Sequence, residues 1–179
     1  VLKIASADIA HKSEIGGVIV GVRDEAQARE AFRTLRARAA ARAPQARIDG
    51  VLVARMAERG VETIVGVVRD PVFGPVVMFG LGGVFVEAFK DVAFRVAPFG
   101  VAEARAMIAE VKGRVLLAGV RGQPPADEAA LAAAIAALSA YADRYADVIE
   151  SIDINPLVVL PAGHGVLALD ALIVPASRG

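Results

Sequence analysis

The chain has 179 residues and a mass of 18.5 kDa, enough for one large domain or two small lobes. Hydrophobic residues make up 56% of the sequence and the mean hydropathy is +0.54, which excludes a disordered chain. The 20 basic and 20 acidic residues balance, which argues against a broad nucleic-acid-binding or anionic-membrane surface. The lack of cysteine excludes thiol chemistry, and His11 and His164 are too few for a multi-histidine zinc site.

The sequence predicts neither a membrane span nor a secretory signal. Its longest uncharged stretches, residues 71–86 and 154–169, are interrupted by glycine and proline. The chain opens directly into an apolar segment with no basic region before it. We expect a strand taken from a longer polypeptide and a cytoplasmic location.

Hydrophobic periodicity predicts alternating strands and helices. The predicted strands cover residues 1–5, 17–22, 51–57, 60–68, 76–79, 84–88, 92–96, 151–160 and 166–174. The predicted helices cover residues 24–42, 101–111 and 127–145. The first helix has Asp24 as a suitable N-cap, and its predicted apolar face carries Ala28, Phe32 and Leu35. The apolar face of the last helix is predicted to carry Leu131, Ile135, Leu138, Ala142 and Tyr145. This order indicates an α+β or mixed α/β fold dominated by antiparallel hairpins.

The terminal hairpin carries the most informative polar residues. A turn centred on residues 162–163 places Asn155 opposite Asp170, and strand alternation places Asp153 on the same face as Asn155. The other face is then apolar, with Ile152, Ile154, Leu169, Ala171 and Ile173. Two carboxylates and an amide oxygen suit Mg²⁺, which prefers oxygen ligands and retains waters and substrate phosphates. The same spacing also fits the solvated face of an amphipathic hairpin.

Two glycine-containing segments are candidate phosphate-binding loops. In residues 8–18, Gly16 and Gly17 precede a predicted strand and Lys12 lies close by. Glycines at such a junction let backbone N–H groups approach an anion, although an ordinary polar connection has the same composition. In residues 80–83, three glycines separate two predicted strands, which fits either a phosphate contact or a strand bend. A histidine such as His11, taken alone, is more often a surface residue than a catalytic one.

Together these segments resemble the ATP-grasp domain of the NDP-forming acyl-CoA synthetases, the superfamily that includes succinyl-CoA synthetase and the ADP-forming acetyl-CoA synthetases. The resemblance covers nearly the whole chain. Its landmarks follow one another in residues 1–6, 11–18, 74–87, 90–95, 121–127, 153–157 and 169–171. It implies an ATP-grasp fold of two lobes, approximately residues 1–50 and 51–179, with mainly antiparallel sheets and an N-terminal part missing.

The resemblance also implies a reaction and its cofactors, ATP or ADP and Mg²⁺. Acid, CoA and ATP interconvert with acyl-CoA, ADP and phosphate, and a phosphohistidine carries the phosphoryl group to the nucleotide. His11 matches the phosphorylated histidine of the ADP-forming branch. Asp153 matches the acidic residue that orients the phosphohistidine, and Asn155 and Asp170 match the Mg²⁺ ligands.

Five further residues match nucleotide-contacting positions of that family. Lys3 corresponds to the lysine that holds the phosphates, and Gly16 and Gly17 correspond to the glycine loop beside it. Val53 lies in the segment that corresponds to the adenine-contacting hinge, and Glu87 is a further candidate nucleotide contact. Position 54 is alanine where relatives often have Gln or Glu, which argues against recognition of adenine by that side chain and leaves backbone recognition open.

The resemblance leaves two functional interpretations. In the first, the chain is the nucleotide-binding module of an ADP-forming acyl-CoA synthetase, inactive alone and partnered by a CoA-binding and ligase domain or subunit in an oligomeric enzyme. In the alternative, it is a regulatory ligand-binding module fused to a protein lysine acetyltransferase. His11 favours the first, because regulatory versions often lose the phosphorylatable histidine.

Overall fold

The computed structural model describes residues 1–9, 12–82, 91–120 and 122–176. The chain forms two compact units, Val1–Ala57 and Glu58–Gly179, each with its own sheet and hydrophobic core. The predicted strand over residues 84–88 lies outside the described residues. In the part of the chain that the structure describes, no helix is both long and apolar enough to cross a membrane.

The first unit is a three-stranded antiparallel sheet with one helix. The strands β1 (Leu2–Ala5), β2 (Val18–Ile19) and β3 (Gly50–Val53) pair in the order β2-β1-β3. The helix α1 (Glu25–Arg42) packs on the sheet face that carries the buried side chains of β1. The third strand is shorter than predicted, because pairing with β1 ends at Val53.

Helix α1 begins where the sequence predicts but buries a different face. The Asp24 carboxylate accepts a hydrogen bond from the Gln27 N–H at 2.8 Å and caps the helix N-terminus. The buried residues of α1 are Ala31, Leu35 and Ala39. The predicted face was therefore wrong except at Leu35, since the Phe32 side chain is 41% exposed and Ala28 is only half-buried. Small alanines lie against the sheet, so the helix approaches it closely and the larger Phe32 lies at the margin.

The second unit combines a six-stranded sheet with helices on one face. Its strands are β4 (Val61–Asp70), β5 (Gly74–Leu81), β6 (Val92–Val96), β7 (Ile149–Val159), β8 (Val166–Ala168) and β9 (Ala171–Pro175). They form the order β6-β5-β4-β7-β8, and β9 also pairs with β7. The helices are α2 (Val101–Glu110), a 3₁₀-helix (Lys112–Leu116) and α3 (Glu128–Arg144).

One face of this sheet forms the larger core. The strands contribute alternate residues such as Val65, Val77 and Phe79, which are no more than 1% exposed. Helix α3 packs its predicted face against them: Leu131, Ile135 and Ala142 are buried and Leu138 is half-buried. Tyr145 lies beyond the last turn and is 38% exposed, so its predicted burial was wrong.

The opposite sheet face has no helix of the second unit packed on it among the described residues. Pairing aligns Val68, Val76 and Val96 in one row across three strands, and Phe94 lies in the next row. Val68, Val96 and Phe94 are each about half exposed. On the terminal strand β6, Arg95 points to the helical side and forms ion pairs with Glu103 and Glu110 of α2. We call the helix-free side the open face.

A candidate metal and nucleotide site

The register of the terminal hairpin is the one that the sequence predicts. Strand β7 pairs with β8 and then with β9 without a change of register between them. Between these two strands, the Asn155 N–H donates to the Asp170 carbonyl at 3.2 Å and the Leu169 N–H donates to the Pro156 carbonyl at 3.0 Å. Asn155 therefore lies opposite Asp170, which confirms the predicted pairing.

A β-bulge lies at this position in β7. Asn155 and Pro156 together face the single residue Ile64 of β4, where the register shifts. Thr63, fully buried beside Ile64, donates its hydroxyl to the Leu157 carbonyl at 2.7 Å. This hydrogen bond satisfies the hydroxyl and ties β4 to β7 at the bulge.

The bulge interrupts the strict alternation that the sequence analysis assumed. Before it, Ile152 is buried, whereas after it the buried residues are Leu157, Val158 and Val159. Asn155 is exposed and lies where the alternation changes, so its orientation does not follow from that of Asp153 by counting residues.

Asp153 lies on the open face, half-buried, in a row that crosses five strands and ends at Phe94 on β6. Its partners in that row are Gly66 on β4 and Leu172 on β9, and Gly66 in turn faces Met78 on β5. Because Gly66 has no side chain, the neighbour of Asp153 on the β4 side is backbone. A group could therefore reach the Asp153 carboxylate from the open face without displacing a side chain of β4.

The donor set at the hairpin fits a magnesium ion. Asn155 offers an amide oxygen, and half-buried Asp170 offers a carboxylate whose Oδ1 also accepts the Ala171 N–H at 3.1 Å. Mg²⁺ is typically held by one or two carboxylates while substrate phosphates and waters complete its octahedron. No group of three or more His, Cys, Asp or Glu residues suited to a metal occurs within the described ranges. A site here would therefore depend on phosphate oxygens for most of its ligands.

The apolar face predicted for this hairpin is only partly buried. Ile152 is 4% exposed and Ile154 packs against the core, but Ile173 is 51% exposed and Ala171 is also exposed. The predicted second arm is two strands, and β9 pairs only with β7 among the described strands. Along β9 the residues on the predicted apolar face are thus exposed, whereas Leu172 and Val174 on the other face are half-buried.

In the first unit, the predicted nucleotide-contacting side chains lie on different faces of the sheet. Lys3 is half-buried and shares its row with Val18 and Leu52, on the face opposite α1. Val53 pairs with Leu2, so its side chain lies on the α1 side and is 69% exposed. A molecule held by Lys3 would therefore meet the backbone of residue 53 rather than its side chain.

Gly16 and Gly17 close a tight turn. The Gly17 N–H donates to the Lys12 carbonyl at 2.7 Å and the Gly16 N–H donates to the Ser13 carbonyl at 3.0 Å. Gly16 has φ 65°, and this pair of hydrogen bonds is the one that closes many helix C-termini. Both N–H groups are thus already bonded, so the expectation that they point at an anion is not met in this conformation.

Helix α1 holds this turn in place, a feature that the sequence analysis missed. Arg38 donates from Nη1 to the Gly16 carbonyl at 3.0 Å, and Arg42 donates to the Glu14 carbonyl at 3.4 Å. The arginine-rich composition of α1 gives no indication of which arginines reach the turn.

Gly66 could have been noticed from the sequence, because a glycine inside a strand of β-branched residues often marks a close approach of another group. His11 and Glu87 lie outside the described residues.

The chain is similar to known proteins along nearly its whole length. The profile of the ATP-grasp domain family matches residues 1–174. The β subunit of acetate–CoA ligase (ADP-forming) I from Pyrococcus furiosus is 45% identical over 174 residues, which cover 97% of this chain and 74% of the subunit. Acetate–CoA ligase (ADP-forming) I from Archaeoglobus fulgidus is 45% identical over 167 residues, covering 93% of this chain but only 24% of that protein.

Solved structures of a related enzyme have the same fold. A dinucleotide-forming acetyl-coenzyme A synthetase 1 of Ca. Korarchaeum cryptofilum, in complex with coenzyme A and Ca-AMPCP, has a TM-score of 0.90 at 44% identity. The match covers 98% of this chain and 75% of that chain. Another structure of that enzyme contains coenzyme A and Mg-AMPPCP, with its phosphohistidine segment pointing towards the nucleotide-binding site. Its TM-score is 0.78 at 40% identity, and the match covers 98% of this chain and 76% of that chain.

Proposed function

Because the chain belongs to the ATP-grasp domains of the ADP-forming acyl-CoA synthetases, we propose that it is the nucleotide-binding and phosphoryl-transfer module of such an enzyme. The complete enzyme would convert an acid, CoA and ATP into acyl-CoA, ADP and phosphate. This chain would exchange the terminal phosphoryl group between the nucleotide and a phosphohistidine. The observation that carries the proposal is the pairing of Asn155 with Asp170 beside Asp153, in a chain 45% identical to an acetate–CoA ligase β subunit.

Asn155 and Asp170 would hold the metal of a metal–nucleotide complex. When bound, Mg²⁺ would supply positive charge that offsets the negative charge of the phosphate groups during transfer. The oxygen donors and the exposed position of Asn155 support this role, because the metal must remain accessible to a phosphate chain. Asp153, two residues away on the open face, would hold the imidazole of a phosphohistidine in the orientation needed for transfer.

The remaining roles fall on the first unit and on residues outside the described ranges. Lys3 would place its ammonium group on the nucleotide phosphates, and the backbone at Val53 would contact the base. Gly16 and Gly17 would shape the turn beside the phosphates instead of donating to them. His11 would attack the terminal phosphorus through an imidazole nitrogen, so that the bond to ADP breaks and the phosphoryl group moves to the ring. Glu87 would be a further nucleotide contact.

The partner of this module would be the CoA-binding and ligase part of the same enzyme. The chain spans three quarters of the P. furiosus β subunit but a quarter of the A. fulgidus ligase. In an enzyme built like that of P. furiosus, the module would work with a separate subunit. In one built like the A. fulgidus ligase, it would work with the other domains of the same chain. The relatives described above are ligases, which favours the catalytic interpretation over a regulatory module of an acetyltransferase.

Calorimetry on this chain tests the nucleotide site. We expect ATP to bind more tightly with Mg²⁺ than without it, and Asp170→Asn to remove most of that difference, because an amide cannot supply the negative charge. Asp143→Asn, which neutralises an exposed carboxylate on α3, is the matched control and should leave binding unchanged. Equal Mg²⁺-dependent affinity in wild type and Asp170→Asn would contradict the metal assignment.

Labelled ATP tests the transfer step in the complete enzyme that contains this module. With Mg²⁺ it should form an acid-labile, base-stable phosphoryl adduct, and His11→Ala should abolish that adduct while leaving nucleotide binding intact. Full acyl-CoA synthesis by His11→Ala would show that the phosphohistidine is not His11.

A further inference from the structure

A single carboxylate connects the start of α3 to the turn between β7 and β8. Asp127 accepts the Ala130 N–H at its Oδ1, 3.0 Å away, and so caps α3. Its other oxygen, Oδ2, accepts the N–H groups of Gly163 at 2.9 Å and Gly165 at 3.0 Å. One side chain therefore holds both a helix N-terminus and the tip of the hairpin.

The backbone on either side of Asp127 reinforces this attachment. The Asp127 N–H donates to the Leu160 carbonyl at 2.8 Å, and the Ala162 N–H donates to the Pro125 carbonyl at 2.9 Å. Between these two hydrogen bonds, Ala126 forms an isolated antiparallel bridge with Pro161. The segment before α3 thus runs antiparallel to the turn and fixes its position on the second unit.

The turn matters for the register because burial constrains these two strands only weakly: among the residues of β8 and β9, only half-buried Val166 packs against the core. Strands β8 and β9 contain no buried residue; their side chains are all half-buried or exposed. Register is weakly specified in strands without a buried face, whereas the turn that joins two strands sets it directly. From the turn onward the Leu160 N–H bonds to the Gly165 carbonyl, and the same register continues to the pair of Asn155 and Asp170.

We propose that Asp127 is a positioning residue for the metal site: by holding the turn, it keeps Asn155 opposite Asp170. The proposal rests on the proposed function, since it concerns the Mg²⁺ ligands assigned there. Five residues of extended strand separate the turn from the pair, roughly 16 Å, so Asp127 acts without contacting the metal. A slip of one residue would move Asp170 away from Asn155 and turn its side chain to the other face.

The ionisation of Asp127 agrees with this role. Hydrogen bonds from the Ala130 and Gly165 N–H groups, with a smaller contribution from Gly163, lower the pKa of its carboxyl group, and His164 acts in the same direction. The group is therefore a charged acceptor at neutral pH, and bonds to a charged acceptor are stronger than bonds between neutral groups.

Asp127→Ser separates the two tasks of this carboxylate. Serine is a good N-cap, so its hydroxyl can still cap α3, but it has no second oxygen to reach the turn. Asp24→Ser is the matched control, because Asp24 caps α1 in the same way and holds no hairpin. Two readouts apply: hydrogen exchange at the Asn155 and Leu169 amides, which report the register, and the Mg²⁺ dependence of ATP binding.

We expect Asp127→Ser to lose protection at both amides. Its affinity for Mg-ATP should fall about 10-fold, the lower end of the range for residues that hydrogen-bond directly to metal ligands, because Asp127 acts from a distance; its affinity for ATP in the absence of metal should be unchanged. Asp24→Ser should change neither the exchange of these two amides nor the affinity for Mg-ATP. Unchanged exchange in a folded Asp127→Ser variant would overturn the proposal, because the turn would then not control the register.

The outcomes also separate this proposal from the proposed function. Faster exchange with unchanged Mg²⁺ dependence would overturn the positioning role and would count against Asn155 and Asp170 as ligands. If wild type shows no Mg²⁺-dependent binding, the proposed function fails and the metal-positioning role falls with it, while the exchange rates still show whether Asp127 holds the hairpin.

Discussion

Replacing Leu35 by alanine should destabilise the first unit strongly. Leu35 is fully buried in the smaller core, which α1 and β1 share. The change removes three carbon atoms, worth about 2.4 kcal/mol of transfer free energy, and leaves a cavity that raises the loss to about 3 kcal/mol. For a unit of this size, the midpoint of thermal unfolding should fall by about 10–25 °C.

Phe32→Ala is the matched control on the same helix. It removes more atoms than Leu35→Ala, but the Phe32 side chain is 41% exposed, so only part of its transfer free energy is lost and no closed cavity is left; we expect a loss of about 1–2 kcal/mol. The comparison tests whether burial, and not side-chain size, determines the cost on α1.

The assay must distinguish the two units. Both tyrosines, Tyr141 and Tyr145, lie in the second unit, so tyrosine absorbance and fluorescence report that unit alone. Hydrogen exchange with mass spectrometry on peptides from residues 12–57 reports the first unit, and a urea series gives its free energy of unfolding. Equal destabilisation by Leu35→Ala and Phe32→Ala, or a loss below about 1 kcal/mol for Leu35→Ala, would refute the burial pattern of α1.

Three further changes test other features. Gly17→Ala would place a Cβ atom 2.8 Å from a carbonyl oxygen of the same turn, so a urea titration should show a loss of about 1–3 kcal/mol; an unchanged midpoint would contradict the close packing. Ser139→Ala would remove the buried acceptor of a backbone N–H bond 2.9 Å long, and about 1–3 kcal/mol should be lost, which calorimetric unfolding would detect. Hydrogen bonds from the Phe73 and Val72 N–H groups lower the pKa of Asp70, so its contribution to stability is present above about pH 4 and is lost as the pH falls through the lower folded-state pKa. Acid unfolding should therefore be less steep in Asp70→Asn than in wild type, and identical curves would exclude this linkage.

Local signals were enough to predict most elements and the hairpin register. Asp24 and Asp127 precede apolar helical patterns, and both cap the helices that follow. The pairing of Asn155 with Asp170 followed from one turn, because counting outward from a turn needs no information from the rest of the chain.

Features that depend on other elements could not be predicted in this way. The bulge at Asn155 is set by pairing with β4, which is about 90 residues distant in sequence. Buried Ala31 and Ala39 on α1 are explained only by the approach of the helix to β1, since apolarity alone favoured Phe32. Likewise, Arg38 is one of many arginines on α1, and only the tertiary structure shows that it is the one that donates to the Gly16 carbonyl.

The ion pairs of Arg95 have a consequence for the behaviour of the protein at high concentration. Strand β6 is the last of the described strands on its side of the sheet, and an unprotected sheet edge can recruit a strand from another molecule. A charged side chain directed inward from an edge strand is one of the ways in which natural sheets resist such pairing. Arg95 occupies that position, held by Glu103 and Glu110, while its neighbours Phe94 and Val96 are exposed and apolar. We therefore expect the Arg95 guanidinium to limit edge-to-edge association of the sheets in concentrated solution.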